Sequence, residues 1–126
     1  MANILIVDDS AALREVLREV LSDAGHDVGE AGNGLVAERM CKQKGYDLVI
    51  TDIFMPEKEG MATIRDLRKS HPKLKILAIS GGDSVTEPDT FMNLALRYGA
   101  DGILSKPFEH AVLLKEVGRL LRSPRV

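Results

Sequence analysis

Five positions hold the side chains best suited to chemistry: Asp8, Asp9, Asp52, Ser80 and Lys106. Three carboxylates gathered in one place repel one another unless a counter-charge lies among them. Carboxylate oxygens in that number, with no imidazole or thiolate beside them in sequence, suit a hard cation such as Mg2+ or Mn2+. A carboxylate next to such a cation can accept a phosphoryl group. The transition state then needs its equatorial oxygens held by the metal, a hydroxyl or amide donor, and a cation. Ser80 offers the hydroxyl, and Lys106 a compact charge able to approach one oxygen. Each residue also has an ordinary reading. Asp9 and Ser10 could cap a helix, Asp52 could be a solvated strand end, Lys106-Pro107 an ordinary turn, and Ser80 alone says little.

The elements that must position these residues follow from the apolar pattern. Ile4-Leu5-Ile6-Val7 is a continuous apolar run ending at Asp8-Asp9 and reads as a strand buried on both faces. Residues 10–24 carry Leu13, Val16, Leu17, Val20 and Leu21 at helical spacing, stopped by Gly25. A more polar strand is expected over 26–31, a turn at Asn33-Gly34, and a helix over 35–44 ended by Gly45. Further strands are predicted over 47–51, closed by Asp52, over 74–79, ending at Ser80, and over 102–105. Further helices are predicted over 61–70, up to Tyr98-Gly99, and over 109–122. Strands alternating with helices imply a parallel sheet covered on both faces. The wholly apolar runs belong at its centre and the polar second and short fifth at its edges, giving an α/β doubly wound five-stranded sheet of order 2-1-3-4-5, flavodoxin-like. Ligands in such sheets bind at the carboxyl ends of the central strands, where Asp8-Asp9, Asp52 and Ser80 fall, with Lys106 beyond the fifth.

The 126 residues make one domain, expected over 1–122 with a short tail at 123–126 and no output domain within this chain. A formal net charge of −2 argues against direct nucleic-acid binding, which needs a basic surplus. No apolar run approaches the ~20 residues of a membrane span, and a cytoplasmic location is expected. The single cysteine, Cys41, precludes an internal disulfide and reads as a packing residue. His26, His71 and His110 lie at element boundaries and are assigned no chemistry. Lys115, Arg119 and Arg122 read as a solvated helix face.

The order Asp8-Asp9, Asp52, Ser80, Lys106-Pro107 resembles the receiver domain of two-component response regulators of the chemotaxis-regulator kind. Supporting matches are Glu30-Ala31-Gly32-Asn33-Gly34, Asp47-Leu48-Val49-Ile50-Thr51-Asp52, Met55-Pro56, Gly60 and Gly99-Ala100, spread over essentially the whole chain. The resemblance implies a signalling phosphoacceptor rather than an enzyme. Asp52 would take phosphate from a sensor histidine kinase or histidine phosphotransfer protein, with Mg2+ (or Mn2+) held by Asp9 directly, Asp8 through water, Asp52 and the Phe54 backbone carbonyl. Ser80 and Lys106 would contact the phosphoryl oxygens, and the Lys106–Pro107 bond would be cis. A downstream protein would dock on the fourth helix, fifth strand and last helix. Phe54 and Gly82 hold positions that influence attack by water and predict slow self-dephosphorylation. Ile103 stands where the family usually has a switching aromatic, which moves the expected activation change to residues 81–90 and the following helix.

Other functions compete. Gly32-x-Gly34-x-x-Ala37 matches a dinucleotide fingerprint, but it follows the edge strand and leaves the acids unexplained. An aspartate-based phosphotransferase or phosphatase would need a second acid close to Asp52, and two positions on there is only Phe54. A degenerate receiver working as a phosphate-independent binding module is disfavoured by the presence of all five functional side chains.

Overall fold

The computed structural model describes residues 2–53, 60–80 and 88–123, and within these omits the side chains of residues 60, 80 and 88–92. Strands β1 (Asn3–Val7), β2 (Asp27–Ala31), β3 (Leu48–Asp52), β4 (Lys75–Ser80) and β5 (Gly102–Ser105) alternate with helices α1 (Ala11–Asp23), α2 (Gly34–Gln43), α3 (Gly60–Ser70), α4 (Pro88–Tyr98) and α5 (His110–Arg122). All strand pairs are parallel and the order is β2-β1-β3-β4-β5. The expected architecture is the observed one.

Side chains alternate across a strand, so each apolar run supplies two cores. Leu5, Val7, Val49, Ile76 and Ala78 pack with Ala37, Cys41, Ile64, Leu67 and Ala95 of α2, α3 and α4. Ile4, Ile6, Leu48, Ile50, Leu77 and Ile79 pack with Leu17 and Leu21 of α1 and Leu113, Val117 and Leu120 of α5. That double burial explains the unbroken apolar sequence of β1 and β3, whereas β2 at the edge buries only Ala31. Val16 is 44% exposed despite its helical spacing, because the α1 contact is narrower than its apolar stripe. No helix among the described residues is long and apolar enough to cross a membrane.

Local chemistry sets the element ends. The Ser10 side chain accepts from the Leu13 N–H and the Asn33 side chain from the Val36 N–H, so Asn33 caps α2 and Gly34 is its first helical residue, not part of a separate turn. Gly25 (φ 96°) and Gly99 (φ 125°) leave α1 and α4 in the left-handed region. Gly45 does not play that part: α2 ends at Gln43, and its cap Lys44 is already extended.

At the end of the sheet where its strands begin, charges do structural work. Lys75, almost fully buried, donates from Nζ to the Leu120 carbonyl in the last turn of α5. Arg68 on α3 donates to the carbonyls of Gly99, His71, Pro72 and Leu74 and to the Asp101 carboxylate, which also accepts the Ile76 N–H.

Candidate functional site

The opposite end, where the strands finish, collects the acids. β1 and β3 are neighbours, with Val7 paired to Thr51, so the residues just past Val7 and Thr51 lie side by side. Asp8, Asp9 and Asp52 each present a carboxylate oxygen within 4.8 Å of the others. Ser80 pairs with Ser105 across β4 and β5, which brings Lys106 to the same edge, and the Lys106–Pro107 peptide is cis. The Ser80 backbone therefore ends β4 beside the acids, as expected, while its hydroxyl, Phe54 with its carbonyl, Gly82 and most of 81–90 lie outside the described residues.

Geometry ranks the three acids. Asp52 is buried and accepts from Lys106 Nζ at 3.1 Å. Asp8, also buried, accepts the Ser10 N–H on Oδ1 at 2.8 Å and Lys106 Nζ on Oδ2 at 3.4 Å. Asp9 is exposed and its carboxylate has no hydrogen-bond partner among the described residues. Ser10, not Asp9, caps α1, so the capping explanation for Asp9 does not hold. Burial alone would push the Lys106 ammonium down, but Asp52 and then Asp8 outweigh it and hold its pKa above the ordinary value.

The donor set is all oxygen, with Cys41 in the core and His26 and His71 at the far end of the sheet. It fits a hard divalent cation and not a zinc-type site. One lysine against three carboxylates leaves a negative charge that such a cation would neutralise.

Sequence reasoning missed Arg14. Its Nη1 donates to the Asp8 carbonyl at 2.5 Å and its Nε to Glu30 Oε1 at 3.2 Å. The available signal was a basic residue on the opening turn of α1, where the helix dipole disfavours cations, so that a specific partner was to be expected. Ile103 is half-buried and packs on the α2–α3–α4 core. Lys115, Arg119 and Arg122 are exposed as expected, Arg119 pairing with Glu116.

The response regulator receiver domain model matches residues 4–118. The chain belongs to the response regulator receiver family. Among curated relatives it is 36% identical over 126 aligned residues to the DNA-binding transcriptional regulator NtrC of Rhizobium meliloti, covering 98% of this chain and 25% of that protein. It is 33% identical to protein CcdB of Bacillus subtilis, covering 96% of this chain and 98% of that one. The solved receiver domain of NtrX from Brucella abortus superposes with a TM-score of 0.87 at 30% identity, over 95% of this chain and 98% of that one. This receiver chain spans about a quarter to a half of the length of several curated regulators it matches. Family membership removes the dinucleotide reading, whose glycines sit beside edge strand β2, outside the β1–β3 crevice.

Proposed function

We propose that this receiver accepts a phosphoryl group on Asp52 from the phosphohistidine of a sensor kinase or phosphotransfer protein, and that a downstream protein reads the phosphorylated form. The observation that carries the reading is the buried Asp52 carboxylate at the end of a central strand, with Lys106 Nζ at 3.1 Å and two further acids within 4.8 Å. An Asp52 oxygen attacks phosphorus, the P–N bond breaks, and its electron pair returns to the donor imidazole. Lys106 is placed to stay with a phosphoryl oxygen as charge develops, since its raised pKa keeps it protonated at neutral pH. Asp9, Asp8 and Asp52, with the Phe54 carbonyl, would hold Mg2+ or Mn2+, which when bound neutralises the charge of the transferring group. Ser80 supplies a further donor to that group. We assign residues 1–122 to the receiver and 123–126 to a tail, and the face of α4, β5 and α5 to the downstream protein.

Acetyl phosphate with Mg2+ is expected to add one phosphate to the wild type, found by mass spectrometry. Asp52→Asn, or wild type in chelator, is expected to remain unmodified. Undiminished phosphorylation of either sinks the assignment.

A further inference from the structure

Asp9 is the acid with no side-chain partner among the described residues, yet it is the one best exposed to take a cation. Its position therefore depends on its backbone. The peptide joining Asp8 to Asp9 is held at its carbonyl by Arg14 Nη1 at 2.5 Å. Arg14 is itself anchored: its N–H donates to the Ser10 carbonyl at 3.0 Å and its Nε to Glu30 at 3.2 Å. Glu30 lies on β2 opposite Ile6, so it is fixed by the sheet, and its other oxygen is 3.7 Å from Arg18. A bare guanidinium this close to a cation site would repel the ion. Glu30, paired closely with Arg14 and more loosely with Arg18, offsets much of that charge and leaves the hydrogen bond as the larger effect.

We propose that Arg14 is a positioning residue for Asp9, holding the Asp8–Asp9 peptide in the orientation a divalent cation requires, with Glu30 as its brace and counter-charge. The proposal rests on the reading of Asp8, Asp9 and Asp52 as the cation site. Charge and positioning predict opposite signs: removing a cation should tighten Mn2+ binding, whereas removing a brace should weaken it.

The test is Mn2+ binding to the full chain, read from the electron paramagnetic resonance of the free ion. Partners that orient metal ligands are typically worth 10- to 100-fold in affinity, so Arg14→Ala and Glu30→Gln are each expected to bind roughly tenfold more weakly. Arg14→Met, which keeps the stem and lacks the donor, gives the same readout should the alanine variant not fold. Arg68→Ala, altered at the far end of the sheet, is expected to lose stability but retain wild-type affinity. Affinity unchanged or tighter in Arg14→Ala overturns the proposal, as does an equal loss in Arg68→Ala, which would make the effect general loosening. No Mn2+ binding by the wild type would remove the cation-site reading and this inference together.

Discussion

Among the described residues Asp9 has no hydrogen-bond partner and lies beside two acids that share one lysine, and that arrangement has an energetic sign. Like charges 4 to 5 Å apart in largely aqueous surroundings repel by about 1 kcal/mol. Asp9→Asn is therefore expected to raise the stability of the metal-free protein by about that amount, a shift of a few degrees in melting temperature. Added Mg2+ should stabilise the wild type more than the variant. A metal-free variant that melts lower than wild type contradicts the repulsion argument. The acids were legible in the sequence because each ends an apolar run, and a polar residue at that point must lie at a strand's carboxyl end. Arg68 was not legible, because a charged residue on a helix is by default solvated, and Arg14 gave only the signal of a cation on a helix's opening turn, which names no partner. Their partners, Glu30 in one case and Gly99 and Asp101 in the other, lie 16 to 33 positions away.

The elements themselves were nearly all readable, since a strand buried on both faces leaves an unmistakable apolar run and helices between such runs must cover them. What escaped were decisions taken by packing. Val16 fits the stripe of α1 but faces solvent, and Gly45 resembles a helix stop although α2 ends in extended backbone before it. The α3–β4 and α4–β5 junctions are joined by Arg68, whose guanidinium satisfies four carbonyls and one carboxylate. Asp101 is slightly more buried than Arg68, so removing the cation takes the counter-charge from a carboxylate in a poorly hydrated place, although the Ile76 N–H remains on it. Arg68→Ala is expected to cost roughly 3 kcal/mol or more, measured as a lower urea midpoint with an unchanged slope. A loss under 0.5 kcal/mol would show that water replaces the guanidinium. Gly99 belongs to the same junction: a Cβ there would lie 2.8 Å from Arg68 Cγ, in a backbone conformation that already resists side chains.

At the scale of the whole molecule, buried titratable groups set the pH range of stability. His26 has its pKa lowered by burial, and its Nδ1 accepts the Ala2 N–H in the neutral form. Its folded value is depressed, so its contribution is present above 6.5 and is lost as pH falls through the folded value. Cys41 is pushed up to about 11 from 9.0, by burial and then by Glu38. The folded protein thus keeps a proton that the unfolded chain releases, and stability falls between pH 9 and 11, by roughly 2 to 3 kcal/mol. Lys106, raised above 10.5, adds to the decline as pH climbs from 10.5 through its folded value. Urea midpoints are expected to form a plateau from near pH 7 to 9 that drops on both sides, and a Cys41→Ala series should lose most of the decline between pH 9 and 11. A midpoint rising from pH 9 to 11 would be inconsistent with the buried thiol. One further consequence belongs to the Lys106 bridge to Asp8, which spans 98 positions. A chain growing from its amino end has made all three acids by residue 52 but lacks their counter-charge until β5 closes the edge of the sheet. Under the proposed chemistry, competence to receive a signal waits for β5 and Lys106, and a receiver stopped short of them is deaf to its kinase.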